Sequence, residues 1–181
     1  MFRLYGDGLT VRTVYEILPV KKKDTSALES GSKDTITVHD PCPLRDDLST
    51  QQAVRKMLTD MGHTPVEMRH HGRRTLCCGE GGTVAAVNPG LAKAWTTMRG
   101  KEAGGKKIVT YCAGCTGYLN RDVPTIHIAD LLYKPEIALN GNLKIARPPF
   151  TYWHRLRLKQ RMKKELRTKV FDSKVSTQTF E

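Results

Sequence analysis

Five cysteines, the only ones in the chain, fall in three places: Cys42, the adjacent pair Cys77-Cys78, and Cys112-x-x-Cys115. The surrounding segments read HDPCP, LCCGEGG and TYCAGCTGYL, each turn-rich or at the end of a strand-like run. Thiolates brought together from separate stretches hold a metal or an iron–sulfur cluster, exchange disulfides, or staple a fold. A lone CxxC is common. Here it is joined by a CC-Gly turn in which Gly79, Gly81 and Gly82 let the backbone wrap closely around something bulky. Consecutive residues seldom aim both side chains at one centre, so the CC pair suits a site with more than one metal atom. A single tetrahedral zinc takes four ligands and leaves one cysteine spare, whereas a cluster of several thiolate-seeking irons accommodates five. The nearby basic run of Arg69, His70, His71, Arg73 and Arg74 reads either as a solvated loop or as positive charge that offsets the thiolates and lowers their pKa.

The elements that must carry these cysteines follow from hydrophobic pattern and punctuation. Asp34–Cys42 (DTITVHDPC) predicts a strand, TITVH, delivering a cysteine just past its C-terminal end, and Gly104–Cys112 (GGKKIVTYC) repeats that grammar. Thr64–Met68 and Thr125–Ile128 are two further candidate strands. Between them, Ser49 opens a helix running to about Met61 with Gly62 as its stop, and Asn88-Pro89 starts another that ends at Gly104. Trp95 and Met98, at helical spacing in the second, read as core. Alternating strands and helices with short connections predict an α/β fold, a parallel-sheet, Rossmann-like layered domain. Ligands of such sheets bind beyond the carboxyl ends of the strands, where Cys42 and Cys112 fall.

At 181 residues the chain is long enough for a core without disulfide staples. No stretch approaches the roughly 20 apolar residues of a bilayer span, and no secretory signal opens the sequence. The odd cysteine count, the adjacent pair and the CxxC argue against a secreted disulfide framework and for a reducing compartment. The net charge is +12, and Lys144–Lys169 alone carries ten Lys/Arg against one acid, Glu165. That excess belongs to a basic helical extension over 144–175, with a helix expected across Tyr152–Val170, while the cysteine-bearing body over 35–133 is nearly balanced. Residues 19–34 read as a polar loop, and 135–150, holding Pro, Asn and Gly, as a segment leaving the body. Val14-Tyr15-Glu16-Ile17-Leu18 echoes Ile128-Ala129-Asp130-Leu131-Leu132, which would make 1–18 the tail of a preceding repeat.

The order Cys42, 34 residues, Cys77-Cys78, 33 residues, Cys112-x-x-Cys115, together with HDPC, CCGEGG and a strand-borne CxxC, resembles the cysteine-rich CCG domain. That domain occurs in the B- and D-type subunits of heterodisulfide reductase, the C-type subunit of anaerobic glycerol-3-phosphate dehydrogenase, lactate-utilisation iron–sulfur proteins and related oxidoreductases. The resemblance covers about residues 10–133, the second gap being slightly shorter than is usual. It implies a cytoplasmic, often anaerobic electron-transfer role, and the basic extension would allow a peripheral place at the membrane's cytoplasmic face. On the matching positions, Cys42, Cys77, Cys78, Cys112 and Cys115 would ligate a [4Fe–4S] cluster, of the non-cubane form in the heterodisulfide reductase branch. Some relatives bind zinc at a CCG site instead. The family usually carries two CCG repeats, often preceded by a ferredoxin-type module, and this sequence holds one repeat. Electrons would then come from an iron–sulfur or flavoprotein subunit.

Two neighbours are candidates for acid–base chemistry. His39 directly precedes DPC and could bond a cluster sulfur or move a proton, although strand-end histidines more commonly pack or cap. Glu80 sits in the CC turn, where an exposed carboxylate is the plainer account. Asp40 is expected to shape its turn through a side-chain-to-backbone bond, and His127 to pack at a strand end. For the basic extension, a solvated helix stands beside docking to an acidic partner or anionic membrane through Tyr152, Trp153 and Leu156. Nucleic-acid binding is disfavoured because no recognition motif accompanies the charge. The leading expectation is an iron–sulfur domain of an oxidoreductase resembling heterodisulfide reductase. Its rivals are a structural zinc module and a thiol–disulfide exchanger using Cys112 and Cys115.

Overall fold

The computed structural model describes residues 12–18, 35–141, 146 and 149–177, with side chains as far as residue 166. The polar segment 19–34 and the first residues of the proposed repeat tail lie outside the described residues. The chain divides into two compact units after Leu143. In the first, the elements run α1 (Val14–Ile17), β1 (Ile36–His39), α2 (Leu48–Asp60), β2 (Pro65–Glu67), α3 (Val84–Val87), α4 (Pro89–Ala103), β3 (Lys107–Thr110), α5 (Ala113–Leu119), β4 (Thr125–His127), α6 (Ile128–Tyr133) and α7 (Pro135–Leu139).

All four strands are parallel, in the order β2-β1-β3-β4. Each predicted strand is present, shorter by a residue or two at its ends. Because β2 lies on one side of β1 and β3 on the other, the chain reverses its direction of winding between β1 and β3. In an open parallel sheet that reversal leaves a crevice at the carboxyl ends of the two strands. His39 ends β1 and pairs in register with Thr110, which ends β3.

Strand alternation sorts side chains to two faces. Ile36, Val38 and Val109 join Val54, Met57, Leu58, Tyr111, Ile126, Ile128 and Leu131 in one core, with Tyr15 and Leu18 packed against it. A second core contains Met68, Ala103, Ile108 and Leu119, together with Cys78 and Cys115. Two of the five thiols therefore stand inside a hydrophobic cluster. The echoed segments are both helical, as α1 and α6.

Helix ends follow the local chemistry. Asp47 accepts from the Thr50 N–H at 3.1 Å and so starts α2 one residue before Ser49. Asn88 does the same for α4 through the Leu91 N–H, with Pro89 at the first helical position, and Gly104 ends the helix at φ +57°.

Two expectations change. Residues 135–139 do not leave the body: Pro135 begins α7, Ala138 is buried in the first core, and Leu139 packs against it. Proline here starts a turn of helix and Asn140-Gly141 closes it, with Gly141 at φ +73°. Met98 is not core. It is 43% exposed, and α4 instead buries Ala92, Thr96, Arg99 and Ala103. That inward stripe is small, polar and charged because it faces the cysteine-bearing layer.

The second unit holds α8 (Phe150–Thr177), longer than the helix expected over Tyr152–Val170. Tyr152, Trp153, Leu156, Leu158, Met162 and Leu166 are each more than half exposed. At helical spacing the first three and the last three lie on different sides, so they do not form one stripe. Among the described residues no helix is long and apolar enough to cross a membrane.

One buried carboxylate joins the loops around the crevice. Asp40, fully buried, accepts both ends of a bidentate pair with Arg55 of α2, at 2.9 Å each. It also accepts the Gly72 N–H at 2.6 Å and the Tyr111 hydroxyl at 2.9 Å, while its own carbonyl receives Thr75 Oγ1 at 2.7 Å. The expected side-chain-to-backbone bond exists, but it reaches a glycine 32 positions away and braces a distant loop. Burial pushes the Asp40 carboxyl upward, and Arg55, the Gly72 N–H and Tyr111 together outweigh it, so its pKa lies below the ordinary carboxylate value. Asp40→Asn should therefore cost about 2 kcal/mol, since it weakens the charge-assisted bonds from Arg55, which keeps its pair with Glu67. Because the folded pKa is depressed, Asp40 stabilises fully above the ordinary carboxylate range and loses this as pH falls through the folded value. Urea titrations across acid pH should show a shallower loss of stability in Asp40→Asn than in wild type.

Candidate metal centre

Each cysteine is presented by a distinct local device. Cys42 opens a single turn of 3-10 helix (Cys42–Leu44) directly after β1 and Asp40. Cys112 is the N-cap of α5, and Cys115 lies one turn inside that helix. Cys77 and Cys78 sit on the irregular stretch between Thr75 and α3, fixed from above by Thr96 Oγ1 donating to the Cys78 carbonyl at 2.9 Å. Gly79 follows at φ +105°, pressed so tightly against the Ala92 carbonyl, the Thr96 hydroxyl and the Tyr118 ring that no Cβ fits. At position 81 a Cβ would stand 2.8 Å from Cys77 Sγ. The glycines of the CC turn thus permit a close approach of backbone to helix and of backbone to sulfur.

All five cysteines are free thiols and are drawn into one neighbourhood. Sulfur contacts run between Cys42 and Cys77 on one side and through Cys112, Cys115 and Cys78 on the other, and Cys42 also interacts with Cys78. Cys78 and Cys115 are buried, while the other three are partly exposed, so the group is anchored in the core and opens outward. His39 completes the inner part: one of its ring nitrogens, Cys78 Sγ and Cys115 Sγ all lie within 4.8 Å of one another.

The electrostatics are uneven. A hydrogen bond from Cys115 brings the Cys78 thiol down to about 4, aided against burial by His39 and the Glu80 N–H. Cys112 is lowered to about 6, first by Cys115 and then, against burial, by the backbone N–H groups of Cys115 and Gly114. Cys115 is pushed up, because it is the donor to both Cys112 and Cys78 and is buried beside them. Cys42 is raised by burial and by the neighbouring Cys77. Burial holds His39 below its usual value, hence neutral.

Three residues of the basic run are engaged away from the thiols. His70 is engaged with Glu102, His71 with the Met68 carbonyl and Arg73 with Asp46. The guanidinium that interacts with Cys78 and Cys115 is Arg99 of α4, with no solvent exposure. It was not among the residues expected at the site. Its signal in the sequence is the spacing Ala92, Thr96, Arg99, Ala103, which competes with the more conspicuous Leu91, Trp95, Met98. Glu80 is exposed, yet its carboxylate rests against Gly114 between the CxxC cysteines, and burial followed by Cys78 raises its pKa. His127 caps α6, its Nδ1 accepting from Ala129 N–H at 3.2 Å.

Among the described residues, the buried side-chain atoms without a hydrogen-bond partner are His39 Nδ1 and Nε2, Arg99 Nε and Nη2, and Thr110 Oγ1. His39 and Thr110 are register partners at the crevice, and Arg99 interacts with His39 as well as with the thiols. Buried polar groups are ordinarily paired, so three adjacent exceptions beside a set of sulfurs mark a place built for something that accepts hydrogen bonds.

A parallel sheet with thiols gathered at its winding reversal defines a sulfur-rich ligand site on an α/β domain. Residues 36–120 match the family model of the cysteine-rich domain CCG. Over 100 residues it is 33% identical to a probable membrane-anchored ferredoxin of Chromohalobacter salexigens, covering 54% of this chain and 15% of that protein. Over 105 residues it is 33% and 35% identical to the D-type subunits of the dihydromethanophenazine:CoB–CoM heterodisulfide reductases of Methanosarcina mazei and Methanosarcina acetivorans, covering 56% of this chain and 26% of each. The chain thus spans about a quarter or less of the length of these relatives. No solved structure matches it.

The close approach at Gly79 has a measurable consequence. Gly79→Ala should lower stability by about 2 kcal/mol or more, from positive φ and steric conflict together. Gly82→Ala, at φ +59° with nothing nearby, should cost only about 1 kcal/mol. Chemical denaturation of the two variants checks the difference, and equal costs would mean that α4 does not press on the turn.

Proposed function

We propose that this domain is an iron–sulfur electron-transfer module of a larger oxidoreductase assembly resembling heterodisulfide reductase, with Cys42, Cys77, Cys78, Cys112 and Cys115 as the ligands of a [4Fe–4S] cluster. The observation that carries this reading is the meeting of five free thiols with three buried donor side chains that lack acceptors. Bridging sulfides and thiolate sulfurs accept hydrogen bonds, so a cluster fits both the ligand set and the orphaned donors. One zinc would satisfy at most four of the thiols. The likeness of residues 36–120 to the CCG family, and of the chain to a ferredoxin and a reductase component, points the same way.

A cluster bound here would supply a one-electron reservoir. The chain's own part is to hold and insulate it. Cys78 and Cys115 anchor the inner side within the second core, and Cys42, Cys77 and Cys112 stand toward solvent, where a partner approaches. Neutral His39 has an N–H to donate to sulfur, and Glu80 at the rim is the carboxyl placed to hold a proton near the site. The electron donor would be an iron–sulfur or flavoprotein subunit. Helix α8, with its basic surface and exposed Tyr152, Trp153 and Leu156, offers a docking element for an acidic partner or an anionic membrane surface.

One specific observation favours a second reading. Cys112 caps α5 with its pKa lowered to about 6, and Cys115 is buried with its pKa raised. That asymmetry suits a nucleophilic thiol and its resolving partner in disulfide exchange.

Single Cys→Ser substitutions separate the two. After anaerobic reconstitution, the cluster reading predicts that every one of the five loses most of its bound iron and its paramagnetic signal. Disulfide exchange predicts that only Cys112→Ser and Cys115→Ser change, and that they abolish reduction of a model disulfide while Cys42→Ser and Cys77→Ser remain active. The second pattern would sink the electron-transfer role.

A further inference from the structure

Arg99 is the least expected residue in the molecule. It lies in α4 with no solvent exposure, and it is the largest fully buried side chain among the described residues. One edge of its guanidinium is clamped: Nη1 donates to the His70 carbonyl and to Glu102 Oε2, both at 2.8 Å. Glu102 is itself fixed by the His70 backbone N–H at 3.3 Å and by the His70 ring. The other edge, Nε and Nη2, has no hydrogen-bond partner.

A guanidinium keeps its charge when buried and presents its donors in a rigid fork. Clamping Nη1 therefore fixes where Nε and Nη2 stand. Leaving them unpaired in the interior is costly, unless an acceptor arrives. Their electrostatic surroundings name that acceptor. Besides Glu102 and Asp40, Arg99 interacts with Cys115 and Cys78, the two buried thiols. Asp40 already receives Arg55, the Gly72 N–H and the Tyr111 hydroxyl, and the unpaired His39 and Thr110 carry no charge, so sulfur is the anionic partner left.

We infer that Arg99 is the built-in counter-charge of an anionic sulfur centre: its Nε and Nη2 hydrogens donate to sulfur of the group held by Cys78 and Cys115, and this sets the centre's reduction potential. The inference rests on the cluster reading above. A fixed positive charge beside a cluster that gains an electron stabilises the reduced state more than the oxidised one. Losing it makes the centre harder to reduce. The clamp through Glu102 and His70 makes Arg99 a positioning residue that acts through the sulfur.

The test uses the full chain carrying 15N-labelled arginine, loaded anaerobically with ferrous iron and sulfide. Pulsed paramagnetic resonance of the reduced centre should show a 15N coupling from a guanidinium, and Arg99→Lys should abolish it. In redox titrations, Arg99→Met should have a more negative midpoint potential than wild type, with Arg99→Lys recovering part of the shift. A purely structural Arg99 predicts no coupling and an unchanged potential, and a loaded wild type without the coupling overturns the inference even if Arg99→Met fails to fold. A coupling that persists in Arg99→Lys overturns it too. If wild type takes up no iron and sulfide, the cluster reading fails first and this one with it.

Discussion

The site depends on a carboxylate buried where three loops meet. Asp40 ties β1 to α2 through Arg55, to the loop before the CC turn through Gly72, and to the end of β3 through Tyr111. That junction joins the segments carrying Cys42, Cys77-Cys78 and Cys112, whose own strands and turns are short. The strands are three or four residues long, and four residues of parallel pairing position a backbone poorly by themselves. A charge removed from water and fully paired is direction-sensitive in a way that apolar packing is not. Tyr15 extends the same bracing, its hydroxyl donating to the Tyr111 carbonyl at 2.8 Å while its ring meets that of Tyr111 edge-on.

The sheet divides labour between its faces. One carries an ordinary aliphatic core, in which Ile36, Val38 and Val109 meet α2, α6 and α7. The other exchanges part of its apolar packing for chemistry: His39 and Thr110 at the strand ends, Cys78 and Cys115 in the core, and Thr96 and Arg99 on the facing helix. Polar groups placed where a domain of this size would normally bury leucine weaken the free-standing fold. A bound group that satisfies them would return that stability, coupling ligand loading to folding.

Much of this was legible in the residues. β-branched runs ending in a cysteine gave β1 and β3, and Asn88-Pro89 and Gly104 gave both ends of α4, because these signals are local. The cysteine spacing pointed to the five thiols that the fold gathers into one neighbourhood. What escaped were features set by tertiary context. The Pro135–Gly141 stretch has linker composition, yet Ala138 finds a pocket in the first core. The hydrophobic stripe of α4 through Met98 is outward because the helix faces a polar site, which no hydrophobic periodicity can announce. Arg99 was invisible for the same reason, since an arginine in a helix is by default a surface residue. The basic run Arg69–Arg74 attracted attention as charge near cysteines, while the buried guanidinium beside Cys78 and Cys115 belongs to a helix further along the chain.

Five thiols from three loops holding one redox cluster is the proposal on which the rest turns. Its most direct test is elemental: purify the protein without oxygen and determine iron, acid-labile sulfide and zinc per chain. A [4Fe–4S] cluster gives about four irons with matching sulfide. One zinc with no sulfide, persisting after anaerobic reconstitution, would contradict it and leave a structural metal module.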